Sequence, residues 1–146
     1  MKTNELMIGD WVNYVHKDYN IKRPCRITML SNDGSWAARF LIVGDEISGN
    51  EKECPIDECF EGIELTSEIL EKNGFKEDCE TNRIYWRPDC RKFCIVKELY
   101  TWYFAFRFLG KTVNTSSGYI CISECNYVHQ IQHKLKDLEI EKEIVL

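Results

Sequence analysis

The residues of this chain best suited to chemistry are its eight cysteines and a pair of histidines. Six of the thiols fall into three close pairs, Cys54-x4-Cys59, Cys90-x3-Cys94 and Cys121-x3-Cys125, while Cys25 and Cys79 stand apart. Structural zinc prefers Cys-x2-Cys knuckles on turns, two at a time, and none of the three pairs has that spacing. Cys121 and Cys125 alternate with Tyr119 and Ser123 on one strand face, which is a packing pattern. The expectation is therefore free thiols and no metal, with Cys54 and Cys59, around the turn that Pro55 makes, as the alternative ligand pair. His129 and His133 stand four residues apart, the spacing of a two-histidine metal face on a helix. Gln130 occupies the place where a zinc protease carries its glutamate, so both histidines are expected to be exposed polar positions pointing away from the helix's apolar stripe.

Other chemistries find less support. A thiol nucleophile needs cysteine, histidine and carboxylate together, and no local signature of that kind is present. Nor is there a Gly-x-Ser-x-Gly elbow, a phosphate-binding loop or a Gly-x-Gly-x-x-Gly turn. Residues 45–80 carry 13 acidic against 3 basic side chains, so many carboxylates that no pair stands out as a general acid and base. No catalytic residue and no cofactor are expected.

Charge is distributed in blocks. The acidic 45–80 segment is followed by residues 81–111, where seven basic side chains face two acidic ones. Within that basic block Arg83, Tyr85, Arg87, Arg91 and Arg107 mix guanidinium groups with an aromatic ring, and Arg83, Tyr85 and Arg87 share one strand face. Such a β-surface can hold phosphates and stack bases, so these five residues are the candidate nucleic-acid surface. The acidic block would repel a phosphate backbone. Two arrangements distinguish the readings: arginines exposed beside an unpartnered aromatic favour nucleic acid, whereas arginines paired with Glu58, Glu61, Glu64 or Glu68 make the basic block structural.

The elements that must position these residues are short. Residues 11–15, 26–30 and 36–43 read as strands separated by Gly and Asn-Asp-Gly turns, residues 47–53 as polar loop, and 59–65 as a weak fourth strand. This spacing suggests a small SH3-like barrel or curled antiparallel sheet over residues 1–64. At 65–75 a short helix has both ends written into it: Thr66 as N-cap, Leu65 and Leu70 as a hydrophobic staple, Asn73-Gly74 as a left-handed stop, and Phe75 placed to meet Leu70. Strands follow at 83–87, 92–99 and 101–109, then a polar loop and a last strand at 118–123. Along 101–109 Trp102, Phe104, Phe106 and Phe108 share one face, and four aromatics need a covering layer. Asn126 reads as the N-cap of a helix to about residue 139 whose apolar stripe is Val128, Ile131, Leu135 and Leu138. The tail at 143–146 could add an edge strand. The fold expected is α+β: an N-terminal SH3-like β unit over 1–64, and over 65–146 an antiparallel meander (82–123) covered by helices 66–73 and 126–139, the two packed as one body. No run approaches the roughly 20 apolar residues of a membrane span, and the first residues show no secretory apolar run. The expected address is the cytoplasm.

Three words, Asn4-Glu5-Leu6-Met7-Ile8-Gly9-Asp10-Trp11-Val12, the Leu65–Phe75 segment and Tyr127-Val128-His129-Gln130-Ile131-Gln132, together resemble a large group of small uncharacterised proteins of gut Bacteroidota, often found in prophage-like or mobile-element loci. The resemblance spans about a fifth of the chain. It implies a bacterial, cytoplasmic, phage-related setting, and brings no activity, ligand or catalytic residue to carry over. The eight cysteines and the 112–118 loop depart from the group.

With no chemistry singled out, the expected function is non-catalytic binding of a protein partner through open strand edges or the acidic block. Nucleic-acid binding through the basic surface is the alternative. The sequence leaves the oligomeric state open.

Overall fold

Short apolar strands with polar breaks cannot bury a core singly, so they must pair, and they do so in two antiparallel sheets of five strands each. The computed structural model describes residues 5–32, 36–43, 51–78, 83–107, 118–140 and 143–146. The chain divides into two compact units, Met1–Ile63 and Glu64–Leu146. The α+β class holds: most of the structure is antiparallel sheet, with helices confined to short segments.

The first unit contains β1 (Trp11–His16), β2 (Ile21–Asn32), β3 (Trp36–Ile42), β4 (Lys52–Pro55), a single helical turn α1 (Ile56–Cys59) and β5 (Phe60–Gly62). Their order across the sheet is β4-β3-β2-β1-β5. Strand β2 starts five residues earlier than its apolar stretch suggests, because all of β1 pairs with it, from Trp11 opposite Arg26 to His16 opposite Ile21. Its register with β3 shifts between Ile27 and Met29, a bulge that bends a long strand. Of the segment expected as loop at 47–53, residues 47–50 lie outside the described residues and residues 52–53 begin β4, whose Cys54 pairs with Ala38. The weak fourth strand shortens to three residues because Ile56–Cys59 coils into α1, and Ile56 from that turn is buried. Val12, Cys25, Ile27, Ala38, Phe40, Ile42, Ile56 and Phe60 form the core. Tyr14 packs on Phe40 with ring centres 4.8 Å apart.

The second unit is built on β6 (Lys76–Glu77), β7 (Ile84–Arg87), β8 (Cys90–Glu98), β9 (Thr101–Arg107) and β10 (Tyr119–Glu124), in the order β10-β9-β8-β7-β6. Tyr85, Ile95 and Phe104 stand in one row across three strands. Phe93 stacks on Phe104 with centroids 5.1 Å apart, and Trp102 lies edge-on to Tyr85 at 5.4 Å. The opposite face is apolar too: Cys94, Val96 and Ala105 are buried, with Ile84, Trp86, Tyr103 and Tyr119 around them. β8 is therefore buried on both faces at its centre, and reads as a continuous apolar run.

Helix α2 (Ser67–Lys72) ends as its residue types dictate. Thr66 Oγ1 accepts from the Ile69 N–H, Leu65 and Leu70 are both buried, and Gly74 has φ +80°. The Phe75 and Gly74 N–H groups donate to the Leu70 and Glu71 carbonyls at 3.0 and 2.9 Å, the paired bonds of a Schellman stop. Phe75, carried out of the helix, meets Phe93 at 6.2 Å. The Asn73 amide donates to the Ile69 carbonyl and also exchanges two 2.7 Å bonds with the backbone of Val145. The tail is thus tied down by a side chain and forms no strand, and Ile144 is buried.

Helix α3 (Val128–Asp137) begins one residue later than its sequence suggests, with Tyr127 as N-cap. Asn126 is taken by the sheet, where its Oδ1 accepts from the Trp102 N–H at 2.8 Å. Gln130 Oε1 instead accepts from the Tyr127 N–H. Val128, Ile131 and Leu135 are buried, while Leu138, at the C-cap, is exposed. His129 corrects an expectation. It is buried beside its stripe, stacked on Tyr127 at 5.8 Å. No helix among the described residues is long and apolar enough to cross a membrane.

The aromatic face is deep at Trp102 and Phe104 and shallow at Phe106, which is 40% exposed, contrary to the even burial that its period suggests. Phe108 lies outside the described residues. Phe104→Ala is expected to cost about 3–5 kcal/mol, and Phe106→Ala less than about 1.5 kcal/mol, in denaturant unfolding. Equal losses would place both rings in one core.

Candidate interaction surface

The proposed nucleic-acid surface does not assemble as five exposed residues. Arg83 is exposed. Tyr85 is buried, its hydroxyl donating to Glu77 Oε1 at 2.9 Å. Arg87, on the same inward face of β7, is only 3% exposed. Its guanidinium donates through Nε and Nη2 to the two Asp89 carboxylate oxygens at 3.0 and 2.6 Å and lies over the Phe75 ring. Its partner is the aspartate of its own turn, and not an acid of the 45–80 block. Arg91 and Arg107 have their backbone in β8 and β9, and their side chains lie outside the described residues. Two of the acidic block's members pair within the first unit, Glu53 with Arg39 and Glu61 with Lys22, both at 2.9 Å and about half exposed. Such pairs contribute at most about 1 kcal/mol each.

The thiols sort by depth. Cys54 and Cys59 pack against the first unit's core beside Cys25 and Tyr14. Burial, and a hydrogen bond with Cys59, push the Cys54 thiol well above the ordinary range. Burial pushes Cys25 and Cys125 up to about 12. Thiols of this kind stay protonated at neutral pH in the metal-free chain, so none of the three is a ready nucleophile. Among the described residues no three His, Cys, Asp or Glu side chains gather as a metal site. Cys121 differs in being exposed.

Two apolar features of the second sheet remain in water. The first is the tip of the β8–β9 hairpin. Glu98 pairs with Thr101, so only Leu99 and Tyr100 connect the strands. Two-residue hairpin turns need positive φ and are normally made with Asn-Gly, Asp-Gly or a leading Gly. Leu99 holds φ +54°, which costs a residue with a Cβ about 1–2 kcal/mol. Its side chain is 86% exposed and that of Tyr100 is 96% exposed, so neither recovers the cost through packing. The sequence places Leu99 at the end of strand 92–99, with Tyr100 alone before the next, because no Gly, Asn or Asp marks a two-residue turn there.

The second feature is β10, the outer strand of its sheet. Ile120 and Ile122 are 48% and 53% exposed, and Phe106, the register partner of Ile120, continues the strip. Residues 119–123 contain no charge, proline or glycine. Edges are usually blunted by such residues. The device present here is a bulge, where the register with β9 shifts between Cys121 and Ser123.

The chain matches no known protein family, no curated protein and no solved structure.

The Arg87–Asp89 pair generates an asymmetric expectation. Asp89→Ala strands a deeply buried guanidinium and is expected to cost about 3 kcal/mol, whereas Arg87→Met leaves a carboxylate that is 47% exposed free to rehydrate and costs about 1 kcal/mol. Urea unfolding of both variants measures this, and the reverse order would place Arg87 at the surface.

Proposed function

We propose that this chain is a non-catalytic protein-binding module whose anchor is the Leu99-Tyr100 hairpin tip. The observation that carries the reading is the left-handed Leu99 beside an almost fully exposed tyrosine. A turn under selection for folding alone would carry glycine or asparagine there. Backbone strain that packing does not repay is characteristic of binding positions. Tyrosine is among the residue types that dominate interface energies when a pocket receives it. The tip sits on a rigid base, since Trp102 is fixed by Asn126 and covered by the Lys97 ammonium at 4.9 Å. The partner surface complementary to it is a concave apolar pocket on another protein.

In the same reading the first unit is an SH3-like barrel. The strand order β4-β3-β2-β1-β5, the long bent β2 and the single turn leading into β5 support this. The resemblance of three segments to proteins of mobile-element loci supports a bacterial cytoplasmic setting.

The test separates binding from folding. Leu99→Gly with Tyr100→Asn is expected to leave stability unchanged or raise it by about 0.5 kcal/mol, because relief of the left-handed strain slightly exceeds the entropy cost of glycine. A photo-crosslinking phenylalanine at position 100 of the full chain, expressed in a bacterial host, is expected to give one discrete protein adduct. An unlabelled copy with the native tip competes for that adduct, and an unlabelled double variant competes at least tenfold less well. No adduct, adducts to nucleic acid, or equal competition by the double variant would overturn the reading.

A further inference from the structure

We infer that Cys54 and Cys59 form a reversible disulfide, made by exchange with a small-molecule disulfide, that locks the seam between the two outer strands of the first sheet. The pair lies in the first unit, so the inference does not rest on the hairpin-tip reading. The sheet order makes the seam. β4 and β5 are the two outer strands, yet they are consecutive in the chain and joined by the four residues of α1. Across a flat sheet of five strands the outer two would stand about 19 Å apart, four spacings of about 4.8 Å. A helical turn of four residues advances only about 6 Å. The sheet must therefore curl until its edges approach, and α1 bridges them. No ladder joins β4 to β5 among the described residues. The turn has no side-chain cap, and one turn of helix does not hold itself closed. Its Ile56 is fully buried and pins it.

The two thiols sit at the ends of that turn. Cys54 precedes Pro55, the N-cap, and stands opposite Ala38 of β3. Cys59 ends the turn, one residue before Phe60, which stands opposite Tyr14 of β1. Both side chains are half-buried against the same core, and they are hydrogen-bonded to each other. A bond between them ties the β3–β4 side of the sheet to the β1–β5 side. Cys121 and Cys125 lack this match in depth, the first being exposed and the second buried. In the exchange the Cys59 sulfur, as thiolate, attacks one sulfur of the small disulfide RSSR, forming a mixed disulfide and releasing one thiol. Cys54 then attacks the Cys59 sulfur, and the second small thiol leaves. The protein dithiol loses two electrons and two protons, the RSSR bond is reduced, and the protons end on two RSH molecules. Burial holds the Cys54 thiol protonated, which makes it a slow attacker from solution. As the second partner it acts within the molecule, already in contact with Cys59.

The test treats the full, reduced chain with glutathione disulfide and maps the products by peptide mass spectrometry. A link between Cys54 and Cys59 is expected, with the chain lighter by two hydrogens and no glutathione retained on either residue. Dithiothreitol should restore both thiols. Amides between positions 52 and 60 are expected to exchange at least about tenfold more slowly in the oxidised chain, because the turn can no longer open. Cys121→Ser, which removes the exposed thiol, should leave the link unchanged. Cys54→Ser should stop at a glutathione adduct on Cys59, and Cys59→Ser should react at Cys54 at least about tenfold more slowly. The unaltered chain carries the test alone if either serine variant fails to fold. Unreacted thiols, a stable glutathione adduct on the unaltered chain or a link between other cysteines would overturn the inference. So would an oxidised chain that loses its circular dichroism, or one whose turn amides exchange as fast as before.

Discussion

The second unit depends on the stack of Phe93 on Phe104 at the centre of its sheet. Two strands that place large rings on one face must be covered, and nearly everything around them serves that end. Phe75 reaches Phe93 only because Gly74 turns the chain left-handed at the end of α2. At six residues α2 is far too short to be stable alone. Its Thr66 cap, its Schellman stop and the Asn73 tie to the tail hold it in place. On the same side, Arg87 is drawn inward because Phe75 offers its guanidinium a ring and Asp89 a carboxylate. A residue that looks like a phosphate ligand in the sequence is thus a packing element once the aromatic layer exists.

Against this economy, the two places where local rules are broken stand out. The hairpin tip puts leucine where glycine belongs, and the outer strand carries charge only at its end, Glu124, leaving Ile120 and Ile122 in water. Agreement between local preference and global fold is what specifies a structure, so disagreement concentrates at functional positions. Both exceptions lie at the margins of the sheet and leave the Phe93–Phe104 centre alone. The scaffold can therefore hold strained or exposed groups without losing its core.

Much of the fold was legible in the sequence, where residue type alone decides the local outcome. Thr66, Gly74 and the alternation over Trp102–Phe104 dictate a cap, a stop and a buried face by local chemistry. What stayed hidden depends on partners distant in the chain. Asn126 looks like an N-cap, but the Trp102 N–H competes for it across the sheet. β2 extends back to Ile21 because β1 needs a full-length neighbour. Lys52–Pro55 becomes β4 because β3 offers an edge. His129 is buried and stacked on Tyr127, although its residue type suggests an exposed position. Of the candidate surface, the basic and aromatic types were visible, but the burial of Tyr85 and Arg87 was not. The hairpin tip escaped because its signal is an absence of turn residues.

The exposed tip and edge are peripheral to a core fixed at β8 and β9, and amide hydrogen exchange of the dilute, unbound chain can show this. The amides of Phe93, Ile95 and Phe104 should exchange slowest, opening only with global unfolding, while those of Leu99, Tyr100, Ile120 and Ile122 exchange orders of magnitude faster. Tip and outer-strand amides as protected as those of the Phe93–Phe104 centre would instead place both in the core.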